Sequence, residues 1–257
     1  MKWERVKGEG NYDAILITET FHTMTDTELD QLRNTQNAKR EIEVSMNLLA
    51  EIGNYADSLD AQVKLESQDW SGKQAAMVTV PVGPYGQVEE MPDPYDEHEI
   101  WRTTKFLPTV TRYSLCAYSF AVFEDCLRRC SSFMRSDSKA CKHTNPKIET
   151  YKDCIRDCGN SSTDWASSGD WGLMTKIAKV RHSIVHSNGR LSSPTSSDKY
   201  KAARKAIEHL GTSSKDKPGS EPLVRLTKED QVILEAGSVC WVCDRARSVL
   251  DSFSNSL

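Results

Sequence analysis

Four apolar stripes at helical spacing constrain this chain more than any other feature. Leu29, Leu32, Ile42, Met46, Leu49, Ile52, Ala56, Leu59 and Val63 form the first, and Val110, Tyr113, Ala117, Phe120, Phe123, Leu127, Cys130 and Met134 the second. Leu173, Ile177, Val180 and Ile184 form the third, and Val239, Val242, Ala246, Val249 and Phe253 the fourth. Apolar positions every three or four residues bury on one side only of a helix, so each stripe needs a partner face. A chain of 257 residues can build one sizeable core from such faces. A mainly α fold, a helical bundle, follows as the expected class.

Punctuation residues set the expected boundaries. Thr25 and Glu28 have capping-box spacing and should open the first helix, which Gly53 is expected to interrupt. AMVTVPV alternates like a strand and VGPYG has turn chemistry. MPDPYDEHE is acidic and proline-punctuated, so 68–108 reads as a short hairpin with an exposed loop. Pro108 suits a helical first turn. A weaker helix is expected near 147–158 and a loop over 160–169, and Asn188-Gly189 is a helix stop. Ser197 or Asp198 should cap a helix over 199–210 that Gly211 ends, and Thr227 should cap the last one. This reading divides the chain into an N-terminal extension, 1–107, carrying the long helix and acidic loop, and a helical domain, 108–257.

Charge is unevenly spread. The formal net charge is −4, which argues against wholesale coating of nucleic acid. Yet residues 176–205 carry eight basic side chains against the single acid Asp198, while 89–99 carries six acids. No apolar run approaches the ~20 residues a membrane helix needs. The leading segment, MKWERVKGEGNYD, has no apolar core of a signal peptide. A cytoplasmic protein with no membrane association is therefore expected, with its eight cysteines reduced. Cys126, Cys130, Cys154 and Cys158 could converge on zinc from two antiparallel helices, but buried free thiols are the stronger expectation, and no metal or cofactor is assigned.

The chemistry concentrates at 180–190, VRHSIVHSNGR. Arg181 stands five residues before His186, at the end of an apolar-periodic helix. Arg181 borders the buried face, where an unpaired charge is costly. His182 and His186 are one turn apart and share a face with Lys179 and Ser183. A fixed cation beside an imidazole that titrates near neutrality suits phosphodiester cleavage.

VRHSIVHSNGRL resembles the Arg-x4–6-His signature of the HEPN superfamily, particularly its stand-alone and toxin-like ribonucleases. The likeness extends more loosely over 109–257. TRYSLCAYSFAVFEDCL is similar to the first HEPN helix, with an aromatic-small-acidic run ending in Glu124. His182 stands where an asparagine is common, and 1–107 has no counterpart. The resemblance implies a homodimer whose site forms across the two-fold axis, each protomer supplying Arg181 and His186. It also implies metal-independent RNA cleavage, in which the 2′-hydroxyl attacks the adjacent phosphate and leaves a 2′,3′-cyclic phosphate and a 5′-hydroxyl. His186 would transfer protons and Arg181 would hold and stabilise the phosphate. His182, Ser183 and Asn188 would contact substrate or orient His186, with Lys179 and Arg190 on the basic track. Glu124 would hold Arg181, or be a solvated acid. The implied substrate is single-stranded or loop RNA, tRNA and mRNA included, in a toxin or antiphage role with an antitoxin or a defence complex as partner. The alternative is a non-catalytic HEPN scaffold or nucleotide-binding member of such a complex.

Overall fold

A computed structural model describes residues 25–72, 77–81, 88–134, 147–158, 164–191, 197–213 and 222–257. The turn expected at 82–86, the polar stretch after 134 and most of the loop over 212–222 lie outside them. The fold is mainly helical. The elements are α1 (Asp26–Gly72), a hairpin of β1 (Met77–Pro81) and β2 (Val88–Pro92), α2 (Pro94–Trp101), α3 (Leu107–Phe133), α4 (Ile148–Cys158), α5 (Gly169–Ser187), α6 (Asp198–Ser213), a hairpin of β3 (Val224–Leu226) and β4 (Val232–Leu234), and α7 (Ser238–Ser256).

Helix α1 begins where its capping box places it. The Thr25 N–H donates to Glu28 Oε2 at 2.8 Å, and Glu28 N–H to Thr25 Oγ1 at 3.3 Å. It then runs unbroken through Gly53. The Gly53 carbonyl accepts from Cys240 Sγ at 3.0 Å across the contact with α7, where a Cβ at Gly53 would make ordinary van der Waals contact with Cys240 and Cys243. Ala38, Ile42, Leu49, Ile52 and Ala56 of α1 join Phe120, Phe123 and Leu127 of α3 and Val242, Val249 and Phe253 of α7 in one core. The expected boundary at 107/108 therefore does not separate two cores. The chain also stays helical across it, passing from α2 through a π-turn, Arg102–Phe106, straight into α3.

Polar ties fix α1 as firmly as apolar ones. Asp60 Oδ1 accepts from Arg112 Nε at 2.8 Å and Nη2 at 2.6 Å, and Asp60 Oδ2 accepts from Gly237 N–H at 2.7 Å. The segment expected as an acidic loop instead holds β2 and α2. The hairpin itself pairs antiparallel, with Thr79 opposite Glu90. Thr227 does not cap the last helix. Its hydroxyl accepts from the Glu229 and Gln231 N–H groups in the β3–β4 turn, and α7 begins after Gly237, at φ +80°. Ser197 does cap α6, accepting from Tyr200 N–H at 3.1 Å. Gly211 lies inside that helix, where a Cβ would come within 2.8 Å of the Val224 carbonyl.

Candidate active site

Helix α5 carries the motif and is fixed at both ends. Ser168 Oγ caps its start, accepting from Trp171 N–H at 3.1 Å. Trp171, Met174, Ile177, Val180 and Ile184 face the core, with Trp171 edge-on to Trp165. At the other end Asn188 (φ 49°) and Gly189 (φ 81°) turn left-handed, and Gly189 N–H closes on the Ser183 carbonyl at 2.9 Å. Only glycine fits the second position, because a Cβ would stand 2.2 Å from the Tyr113 hydroxyl oxygen. Tyr113 donates to the Val232 carbonyl, while Gln231 Nε2 donates to Tyr113 Oη at 2.7 Å and to the Asn188 carbonyl at 2.9 Å. Val232 N–H reaches the Gly189 carbonyl at 2.9 Å, and Arg190 bridges to Gln231. The β3–β4 hairpin thus clamps the end of the motif helix to α3.

A cleft of about 590 Å³ opens on the outer face of α5. Helix α3 contributes Phe120 and Glu124, and the start of α4 contributes Lys147, Ile148 and Glu149. Thr175, Ala178, Lys179, Arg181, His182 and Ser183 come from α5, and Lys199, Tyr200, Ala202 and Ala203 from α6. Of the residues expected at the site, the cleft gathers Arg181, His182, Ser183, Lys179 and Glu124. His186 and Arg190 are exposed beyond its lining, and Asn188 serves in the turn through its backbone. His186 still adjoins the cleft through His182, their ring centroids 4.5 Å apart. Ser183 donates its hydroxyl proton to the Lys179 carbonyl at 3.1 Å, which leaves it able only to accept.

Arg181 stands apart from the other partly buried arginines of the described residues in having no ion pair. Among the described residues the partly buried arginines are Arg112, Arg181, Arg204 and Arg245. Three of them pair with Asp60, Asp230 and Asp170 respectively, and Arg181 pairs with none. Its Nε is buried without a hydrogen-bond partner. Glu124 is near enough to feel the Arg181 charge, but burial outweighs that attraction and holds its carboxyl above the usual range. His182 is held below the ordinary imidazole value, first by burial and then by His186, Arg181 and Lys199. A guanidinium lacking an acceptor, an imidazole biased to its neutral form and three further lysines make a site for an anion, with a base at hand.

Cys126 and Cys130 are buried free thiols as expected, their Sγ atoms facing the Glu41 and Ala38 carbonyls of α1. Cys154, by contrast, is disulfide-bonded, against the expectation of a reduced thiol, and the side chain of Cys158 lies outside the described residues. Among the described residues no three His, Cys, Asp or Glu side chains converge as metal ligands. Lys147 and Lys199 are cleft residues that motif reading passed over. Lys199 lay within the basic run 176–205, but Lys147 sits far from the motif in sequence and reaches it only through the packing of α4 on α3. Among the described residues no helix is long and apolar enough to cross a membrane. Comparison with family models, curated proteins and solved structures gives no match.

Proposed function

We propose that this chain is a metal-independent endoribonuclease of HEPN type, acting as a homodimer with Arg181 and His186 at its site. The observation that carries the reading is Arg181, a partly buried guanidinium with no acidic partner, lining a cleft with three lysines and with the adjacent His182, whose ring lies 4.5 Å from that of His186. A phosphodiester supplies the missing acceptor, and a guanidinium matches its two oxygens in geometry and charge. In the reaction, an imidazole removes the proton of the 2′-hydroxyl, whose oxygen attacks the adjacent phosphorus. The P–O5′ bond breaks, and the 5′-oxygen leaves with a proton returned by a histidine. Arg181 neutralises charge building on the non-bridging oxygens. His186 is assigned to proton transfer. Val185, half exposed just before His186, and exposed Val110 and Tyr118 on α3 offer apolar area for a second copy. The biological setting of a toxin or antiphage effector, with its antitoxin or complex partner, follows from the motif resemblance.

The reading is tested with an RNA carrying one 2′-deoxy nucleotide at a mapped cleavage position. Cutting there should cease while neighbouring positions are still cut to cyclic-phosphate ends. Continued cutting at the deoxy position overturns the mechanism. A second reading, a non-catalytic nucleotide-binding module, is favoured by one observation: His186 does not line the cleft that Arg181 lines.

A further inference from the structure

The cleft is larger than one phosphate requires, and its walls are chemically divided. Lys147 just before α4, Arg181 on α5 and Lys199 on α6 bring positive charge, while Phe120, Ile148 and Ala203 supply apolar surface. None of Lys147, Lys179, Arg181 and Lys199 joins an ion pair among the described residues, whereas Arg204, on the same helix as Lys199, is tied to Glu208 and Asp230. Several unpaired cations converging on one open cleft, whose lining also carries Glu124 and Glu149, repel one another, and an anionic ligand relieves that repulsion. The buried Nε of Arg181 has no hydrogen-bond partner, and a buried donor left unmet is costly. The cleft volume of about 590 Å³ falls in the range of small-ligand sites.

From these observations we propose that the cleft is a nucleotide subsite, which seats the unit of single-stranded RNA joined to the scissile phosphate. This rests on the ribonuclease reading and deepens it. The phosphate lies on Arg181 and Lys199 with Lys147 opposite, and the base lies against Phe120, Ile148 and Ala203. Glu124, whose carboxyl burial biases toward protonation, is the group that meets the base or ribose edge. The division of the walls predicts that neither half of a nucleotide alone binds well.

The test is titration calorimetry of the full chain with adenosine 5′-monophosphate, cytidine 5′-monophosphate, adenosine and inorganic phosphate. Displacement by a 2′-O-methyl RNA, which cannot be cut by its own 2′-oxygen, completes the set. Both nucleotides should bind at least roughly tenfold more tightly than adenosine or phosphate. Lys199→Glu, on the surface of α6, and Ala203→Trp, which fills the cleft, should each weaken nucleotide binding by roughly tenfold or more. Nucleotide binding should be lost to the competing RNA. No nucleotide binding by the folded protein, or binding indifferent to both variants, overturns the subsite. Nucleotide that RNA fails to displace overturns its assignment to RNA and marks a free nucleotide as ligand. Nucleotide binding without RNA cleavage removes the ribonuclease reading alone, and cleavage without nucleotide binding removes the subsite alone.

Discussion

At the scale of single residues, the geometry around Arg181 makes its neighbours' titration measurable. His182 should titrate below the ordinary 6.5 by NMR, because burial and the positive groups His186, Arg181 and Lys199 disfavour its protonated form. In His186→Ala one of those cationic neighbours is gone, and the His182 midpoint should rise. An unchanged midpoint would mean the two rings do not sense each other. Glu124 runs the other way. Its folded pKa is raised above 4.5, so the stability it contributes is present below that value and is lost as pH rises through the folded pKa. Glu124→Gln should therefore raise thermal stability at pH 8 and leave it little changed near pH 4. Gly189→Ala puts a side chain at φ 81° and against Tyr113 Oη and Gln231 Nε2, and should cost roughly 2–4 kcal/mol in denaturant unfolding. An unaltered unfolding midpoint would remove the clamp from the site's design. The sequence shows Arg181, His186 and the Asn-Gly stop because all three are local. Lys147 was hidden because no spacing rule links it to α5.

Helices were legible where their determinants lie within a few residues of one another. The capping box of Thr25, the Ser197 cap, and the inward stripes of α5 and α7 all rest on neighbours in sequence. Three things were not legible for the opposite reason. Gly53 suggests a break only until α7 is seen packed against it. The β3–β4 hairpin takes its three-residue strands from contact with Gly189 and α6, and Thr227 looks like a helix cap when read alone. Val110 belongs to the apolar stripe of α3 by spacing yet is exposed. The division at residue 107 fails at this scale as well, because Asp60 binds both Arg112 and the start of α7. With both side chains of this pair largely buried, Asp60→Ala should cost about 3 kcal/mol in chemical unfolding. A loss near zero would return α1 to the status of an extension.

For the molecule as a whole, the uneven charge now has a location. The basic run of a net-negative chain lies on α5 and α6, where Lys179, Arg181 and Lys199 meet Lys147 over one cleft. Long-range attraction of a polyanion to that face should fall steeply with added salt. The proposed second copy has apolar area to cover, since Tyr118 and Val185 are about half exposed. Sedimentation should report a dimer that Val185→Asp converts to monomer, with cleavage lost in parallel; a monomeric wild type that cuts RNA would exclude a shared site. The most direct measurement is cleavage of a labelled single-stranded RNA in excess EDTA by wild type, Arg181→Ala and His186→Ala. Wild type should cut to 2′,3′-cyclic-phosphate ends. Each variant, folded and dimeric, should fall by a factor on the order of 100 or more, the scale of a lost proton-transfer or charge-stabilising group. Cutting by either variant at the wild-type rate, or no cutting by a folded wild-type dimer, would contradict the assignment of Arg181 and His186 as the catalytic pair.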